Sequence, residues 1–268
     1  MEALRQIEDW PAANAAAFAL RGGDAVDVHG PRDHVFRWAS VTKLATALAA
    51  LIAAEEGVID LDEPAGPEGS TVRHLLAHAS GLPFEPGAPT GQPGKRRAYS
   101  NVGFETLAGH IEERAEMPFA EYLAAGVLRP LQMEAELRGS AASELHGSLD
   151  DLLAFARELQ RPTLVAPETL AEATTVQFRG LAGVLPDFGR FDPLDWGLGF
   201  ELRDAKDPHW TGARNSARTF GHFGGSGTLL WVDPEADAAL GVLTDLEFGE
   251  WAKEAWPRLS DAVLAEEA

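Results

Sequence analysis

The sequence predicts an α/β fold in which an antiparallel sheet is flanked by helices and joined to a mostly helical lobe. Strand-like segments occur near both ends of the 268-residue chain, and helical patterns fill the middle. Strands at the two ends can share one sheet only if the helical middle is an insertion beside it. With 45% hydrophobic residues, the chain has enough apolar material for a core. We therefore expect a single domain over residues 1–268, with a sheet subdomain at about 1–60 and 187–268 and a helical subdomain at about 61–186.

The N-terminal segment predicts a short meander followed by a buried helix. Residues 14–20 (NAAAFAL) and 25–28 (AVDV) are typical of strands separated by a Gly-rich turn, and a Gly-Pro turn precedes a third strand at 34–38. The residues that follow are rich in Ala and Leu, which favours a helix, and they are apolar on nearly all sides. Ser40 suits the N-cap of this helix, and Gly57 suits its C′ position.

The remainder of the chain is predicted to be helical first and then strand-rich. Residues 58 to about 185 are mostly helical, except for Pro- and Gly-rich loops such as 85–94. Ser148 and Asp151 match a capping box at the start of a helix. Strands are predicted at 196–203, 220–225, 227–234 and 236–245, followed by a helix at about 249–266.

Composition and charge exclude several classes of function. The chain has no Cys, which rules out disulfides, Cys-ligated metal sites and a cysteine nucleophile. Its net charge is −20, so nucleic acid and anionic membrane surfaces are poor partners. The N-terminal residues show neither a signal segment nor a membrane span, which predicts a cytoplasmic protein.

Ser40 and Lys43 are the first candidate catalytic residues. Positions three apart lie one turn apart on the same helix face, so the hydroxyl and the amine can come within hydrogen-bond reach. A helix N-terminus offers unpaired backbone N–H groups to an oxyanion, and burial lowers the pKa of a lysine towards neutrality. A Ser cap followed by a Lys with a buried stem would give the same pattern. The apolar helix around Lys43 favours the catalytic interpretation.

Tyr99, Ser100 and Asn101 form a second candidate group, directly after the Pro- and Gly-rich loop. Tyr acts in acid–base chemistry when a neighbouring cation lowers its pKa. Asn offers both a donor and an acceptor to a substrate amide or to a lysine. The alternative is that Ser100 and Asn101 only cap the helix that follows.

The third candidate is the glycine-rich segment that begins at His222 and includes Gly224 and Gly225. Glycines within a strand often mark the close approach of another group to the backbone. A strand with bare N–H groups facing a cleft could hold a substrate carbonyl and supply an oxyanion donor. The alternative is a simple Gly-rich hairpin, and a phosphate loop is disfavoured because no Lys-Ser/Thr follows.

These motifs, S-x-x-K, Y-x-N and H-x-G, occur in this order, about 60 and 120 residues apart. In this arrangement the chain resembles the penicillin-recognising serine hydrolases, the group of class C β-lactamases, D-alanyl-D-alanine carboxypeptidases and related esterases. The similarity runs from about residue 14 to 265. It is carried by FRWASVTKLATALAALIAAEEGVIDLDEP, TVRHLLAHASGLP and HFGGSGTLLWVDPEADAALGVLTD. The resemblance implies a β-lactamase/transpeptidase-like fold.

The resemblance also implies a role for each motif. Ser40 would be the acylated nucleophile and Lys43 its base, while Tyr99 would share the base role and protonate the leaving group. Asn101 would hold Lys43 and touch the substrate, and the backbone N–H groups of Ser40 and Gly225 would form the oxyanion hole. The residues implied in substrate binding or oxyanion stabilisation are Asn101, His222, Gly224 and Gly225.

His222 occupies a position where relatives that cleave β-lactams usually carry Lys. A largely neutral His anchors a substrate carboxylate less well and is commoner in the esterase-like relatives. We therefore expect a serine hydrolase that forms an acyl-enzyme with a small ester or amide, with an esterase-like preference. One alternative is a β-lactamase or D-Ala carboxypeptidase, and another is a penicillin-binding or ligand-sensing module without turnover.

No cofactor or metal is expected, since His74 and His78 lack the H-E-x-x-H glutamate and a third ligand.

Overall fold

The computed structural model describes residues 1–23 and 25–266. The strands, in chain order, are β1 (Ala15–Arg21), β2 (Ala25–His29), β3 (Phe36–Arg37), β4 (Arg97–Ala98), β5 (Glu136–Leu137), β6 (Leu145–Gly147), β7 (Gly183–Leu185), β8 (Gly189–Phe191), β9 (Glu201–Leu202), β10 (Phe220–Gly224), β11 (Thr228–Asp233) and β12 (Ala238–Thr244). The α-helices are α1 (Thr42–Glu55), α2 (Val72–Leu76), α3 (Asn101–Ala115), α4 (Phe119–Leu123), α5 (Leu149–Gln160), α6 (Pro167–Ala173) and α7 (Glu250–Ala265). Short 3-10 helices cover Glu2–Asp9 and Ala39–Val41, and a π-helical turn covers Ala124–Leu128.

The main sheet joins strands from both ends of the chain, as the sequence predicts. Its order is β2-β1-β12-β11-β10-β9, and every neighbouring pair is antiparallel. Both faces are covered. In β1, Phe18 and Leu20 join the apolar cluster with α1 and α5, whereas Ala17 and Ala19 join the cluster with α7. Successive side chains alternate between the faces of a strand, so this packing fixes the register of β1 between β2 and β12.

Two predicted strands differ from the structure. The sequence predicts a third meander strand at 34–38, but only β3 is extended there, and β3 pairs with β6 instead of β2. After β3 the chain therefore turns towards β10, and the turn that carries Ser40 packs against that strand. The strand predicted at 196–203 is reduced to β9, because Gly199 has a φ of 85° and interrupts the extended backbone.

The central part of the chain contains α2 to α6 and also two small three-stranded sheets that the helical prediction lacked. Their orders are β3-β6-β5 and β4-β7-β8. Each of these strands has only two or three residues, too few for an alternating pattern to be visible. Residues 85–94 form an irregular loop, as predicted.

Predicted helix ends are confirmed at two places. Gly57 lies at the C′ position of α1 with a φ of 72°, and α1 is buried from Thr42 to Ala53. At α5, Ser148 Oγ accepts from the Asp151 backbone N–H at 3.2 Å, while Asp151 Oδ2 accepts from the Ser148 N–H at 2.8 Å. Across the residues that the structure describes, no helix combines the length and apolar character needed to cross a membrane.

Candidate active site

Ser40 lies at the middle of the 3-10 turn Ala39–Val41, directly before α1. The predicted N-cap role of Ser40 is wrong, because α1 starts at Thr42 and no side chain caps it. Ala39 has a φ of 45°, a left-handed conformation that residues with a Cβ seldom adopt. This sharp turn places Ser40, half-buried, on the wall of a cleft.

Lys43 is fully buried and surrounded by three oxygen atoms. Its Nζ lies 3.3 Å from Ser40 Oγ, 2.7 Å from Asn101 Oδ1 and 2.9 Å from the Ala142 carbonyl oxygen. Burial lowers the pKa of Lys43 to about 7, while the charge of Glu105 acts in the opposite direction. A neutral amine has two hydrogens and one lone pair. Its two hydrogens can be donated to Asn101 Oδ1 and to the Ala142 carbonyl oxygen, which can only accept. The lone pair is then left to accept from the Ser40 hydroxyl.

Tyr99 and His222 form a hydrogen-bonded pair on the other side of Ser40. His222 Nδ1 lies 2.6 Å from the Phe223 carbonyl oxygen, which can only accept, so Nδ1 carries the proton. The unprotonated Nε2 then accepts from the Tyr99 hydroxyl at 3.2 Å. Burial, helped by the charge of Lys43, lowers the pKa of His222 to about 3. His222 is therefore neutral at physiological pH and offers no positive charge at this position.

The ionisation of Tyr99 differs from the sequence-based expectation. A neighbouring cation was the reason to expect a lowered pKa, and Lys43 Nζ does lie 4.8 Å from the centroid of the Tyr99 ring. Burial around the hydroxyl outweighs this, and it raises the pKa of Tyr99 well above its ordinary value, with only the contact to Ser40 lowering it. Tyr99 is thus a phenol at rest, suited to donate a proton and not to act as the resting base.

Strand β10 runs close to the Ser40 turn because of Gly224. A Cβ on Gly224 would lie 2.5 Å from the Trp38 carbonyl oxygen, so a side chain there would push the strand away from the turn. The next residue, Gly225, lines a cavity of about 120 Å³ together with Ser40, Tyr99 and His222. The oxyanion role of the Ser40 and Gly225 N–H groups remains a prediction.

All seven predicted site residues meet at this cleft, and the structure adds groups that sequence reasoning missed. Ala142 contributes a backbone carbonyl, which no residue pattern can signal. Glu105 lies four residues after Asn101, hence on the same face of α3, and that spacing could have indicated it. His78 Nδ1 accepts from the Ser100 backbone N–H at 3.1 Å, and its ring packs 4.6 Å from that of Tyr99.

Ser100 is also the N-cap of α3, as the structural alternative predicted. Its Oγ accepts from the Gly103 N–H at 2.8 Å. The cap fixes the turn on which Tyr99 and Asn101 project towards Lys43, so capping is compatible with the catalytic role of this segment, which stays a prediction. His74 contacts Thr71 Oγ1 at 2.9 Å instead of pairing with His78.

Comparison with known proteins places this geometry in context. A family model described as Beta-lactamase matches residues 11–264. Penicillin-binding protein 4* of Bacillus subtilis (strain 168) is 25% identical over 276 residues, a match to 83% of this chain and 60% of that protein. The chain thus spans less than two thirds of that relative. The crystal structure of a beta-lactamase from Mycobacterium bovis is 51% identical, with a TM-score of 0.96 and 98% of each chain covered. EstCE1, a hydrolase with promiscuous acyltransferase activity, is 17% identical with a TM-score of 0.80, covering 98% of this chain and 97% of that one.

Proposed function

The chain belongs to the beta-lactamase family of serine hydrolases, and from that premise we propose that it hydrolyses small esters through an acyl-enzyme on Ser40. The observation that carries the proposal is the position of Lys43, fully buried, with a pKa of about 7 and 3.3 Å from Ser40 Oγ. A general base works best when its pKa is close to the working pH. Lys43 meets that condition because burial lowers its pKa, while the charge of Glu105 partly offsets the shift.

Acylation follows from the hydrogen-bond pattern. Neutral Lys43 takes the hydroxyl proton of Ser40 as Oγ bonds to the substrate carbonyl carbon, and negative charge develops on the carbonyl oxygen. The N–H groups of Ser40 and Gly225 would stabilise that charge. Tyr99 then gives its proton to the leaving oxygen as the carbon–oxygen bond breaks. The protonated Lys43 then supplies the proton that restores the Tyr99 phenol. The result is the acyl-enzyme with Lys43 and Tyr99 both neutral.

Deacylation repeats these steps with water in place of the alcohol. Water loses a proton to the neutral Lys43 amine as it attacks the acyl carbon. Lys43 ends this step protonated and returns the proton to Ser40 Oγ when the carbon–Oγ bond breaks. The products are a carboxylic acid and the free enzyme. Asn101 holds the Lys43 amine at 2.7 Å throughout, which fixes the direction of its lone pair.

The preference for esters rests on His222. A β-lactam or a D-Ala peptide presents a carboxylate near the reacting bond, and a cation at the third motif would pair with it. His222 is buried and its pKa is lowered to about 3, so it contributes no charge to that contact. A simple ester requires no such contact. β-Lactam hydrolysis is a second candidate, favoured by the M. bovis beta-lactamase that is 51% identical over 98% of this chain.

A direct comparison of substrates tests the proposal. We expect purified protein to hydrolyse p-nitrophenyl acetate, and its kcat/KM on nitrocefin to be lower by about 100-fold or more, or roughly 2.7 kcal/mol. Intact-mass measurement after mixing should show an acyl adduct that is absent in Ser40→Ala. Comparable efficiency on both substrates would reject the ester preference and leave the Ser40 mechanism in place. An adduct that persists in Ser40→Ala would reject the mechanism itself, and one stoichiometric burst without turnover would identify a binding module.

A further inference from the structure

We propose that a basic groove beside Tyr99 binds the leaving-group half of the substrate, and that this half carries an anionic group on an apolar stem. The inference rests on the proposed function and narrows its substrate class. The groove encloses about 550 Å³ and adjoins the Ser40 cavity, with which it shares Phe84, Tyr99 and Pro186. Its other lining residues include Lys95, Arg96, Ala98, Val184 and Arg190.

The floor of the groove is the exposed face of the sheet β4-β7-β8. Cross-strand pairing places Ala98 opposite Val184 and Val184 opposite Arg190, so the three side chains form one row. Val184 is 57% exposed although it lies on the middle strand. An apolar side chain left open between a small residue and a cation forms a surface for an apolar stem that ends in a negative charge.

The charge of the groove is opposite to that of the whole chain. Acidic residues outnumber basic ones by 42 to 22, and the chain has only four Lys. Even so, the groove collects Lys95, Arg96 and Arg190, all exposed, and its lining contains no carboxylate. Arg96 donates to the Thr90 carbonyl oxygen at 2.9 Å, and within the described part of the chain none of the three is in an ion pair. These cations are available to an anionic ligand.

The opposite arm of the cleft shows which half of the substrate is anionic. That arm has a volume of about 390 Å³, contains Ser40 and Asn101, and is lined by Glu85, Glu105 and Glu247 with Arg37. It would repel a carboxylate. Tyr99 lines the basic groove instead, and Tyr99 is the group that protonates the leaving oxygen. The leaving group therefore extends from Tyr99 into the basic groove.

Phe84 provides the apolar path from the reacting bond to the cations. Its ring is 47% exposed and stacks on Tyr99, with centroids 5.9 Å apart and planes 25° apart. An aromatic or aliphatic stem next to the leaving oxygen would lie against this ring. Lys95 and Arg190 would then meet a carboxylate at the far end of the stem, away from His222.

A pair of matched esters tests the proposal. 3-(4-Acetoxyphenyl)propionate and the neutral 3-(4-acetoxyphenyl)propanamide share the acetyl ester, and two methylenes insulate the phenol from the carboxylate or amide, so their intrinsic reactivity is alike. We expect a higher kcat/KM for the anionic ester. The double variant Lys95→Gln, Arg190→Gln should lower that value about fivefold and change the neutral ester less than about twofold. The matched control Arg218→Gln removes an exposed cation that lines none of these cavities and should change neither value.

Binding without turnover separates this proposal from the proposed function. Calorimetric titration of the product 3-(4-hydroxyphenyl)propionate into Ser40→Ala protein should show affinity that falls in the double variant and in about 0.5 M NaCl. Equal losses for both esters, no preference for the anion, or an equal effect of Arg218→Gln would overturn the groove assignment. Failure of both esters to react, with product binding intact, would reject the proposed function alone.

Discussion

Lys43 should govern the pH dependence of acylation. With a pKa of about 7, its neutral fraction is about one tenth at pH 6 and about nine tenths at pH 8. Only the neutral amine can accept the Ser40 proton. The value of kcat/KM reports the free enzyme, so for p-nitrophenyl acetate it should rise about tenfold between pH 6 and pH 8 and then level off.

Neither neighbouring titratable group should add a second limb in this range. Burial and the charge of Lys43 lower the pKa of His222 to about 3, and burial raises that of Tyr99 above its ordinary value. Both therefore keep the same protonation state from pH 6 to pH 8. A falling limb near pH 8, or a profile that is flat across the range, would refute the assignment of Lys43 as the base.

Glu105→Gln gives the profile a directional test. The Glu105 carboxylate raises the pKa of Lys43, so its loss should move the rising limb to lower pH and increase activity at pH 6. Glutamine can still accept the 2.8 Å hydrogen bond from Ser140 Oγ. Glu113→Gln, an exposed change on the same helix, is the control and should leave the limb in place. An unmoved limb in Glu105→Gln, or an equal shift in both variants, would show that this electrostatic account is incorrect.

Three further changes probe the other groups. Tyr99→Phe should lower kcat/KM by about 10²- to 10⁴-fold on ethyl acetate and by less on p-nitrophenyl acetate, whose leaving group needs no proton; equal losses would contradict the acid role. His222→Lys should reduce the difference in kcat/KM between nitrocefin and p-nitrophenyl acetate. An unchanged ratio would contradict the explanation that a cation to bind the carboxylate is lacking at position 222. Lys43→Met should abolish turnover. Because the pKa of Lys43 is lower in the folded state than its ordinary 10.5, the unfolded chain binds more protons between pH 7 and pH 10. Wild-type stability relative to Lys43→Met should therefore rise by about 2 kcal/mol from pH 7 to pH 9 in urea titrations, and a constant difference would refute the shift.

The parts of the fold predicted from sequence are those that local rules determine. Ser148 and Gly57 occupy cap positions that depend on neighbouring backbone alone, and both are confirmed. The strands at the two ends of the chain pair into one sheet, as the helical insertion between them predicts, and α1, α5 and α7 cover its two faces. The errors arose where a distant partner decides the conformation. Residues 34–38 have strand-like composition, but only pairing with β6, more than 100 residues away, determines where β3 lies.

The candidate site likewise has a part that local sequence predicts and a part that only tertiary contacts determine. Ser40 and Lys43 are only three residues apart in sequence, so helical spacing brings them together before any tertiary packing is known. The N-cap assignment for Ser40 failed because Ser40 lies inside the 3-10 turn Ala39–Val41, which packs closely against Gly224, and local preferences do not predict that contact. The basic groove was missed because Lys95 and Arg190 become neighbours only when β4, β7 and β8 pair.

The residue at position 222 affects proton transfer as well as substrate binding. A buried charge is costly unless it is paired, and this site keeps Lys43, Tyr99 and His222 mostly neutral together at about pH 8. Lys43 already lowers the pKa of His222, so a permanent cation at that position would in turn lower the pKa of Lys43 and favour the phenolate of Tyr99. With His222, the Tyr99 phenol instead donates a hydrogen bond to Nε2 and keeps its proton, and Lys43 alone serves as the resting base. The chain then places the cations that meet an anionic substrate in the exposed groove, where water reduces the cost of their charge and the pKa of Lys43 is not disturbed.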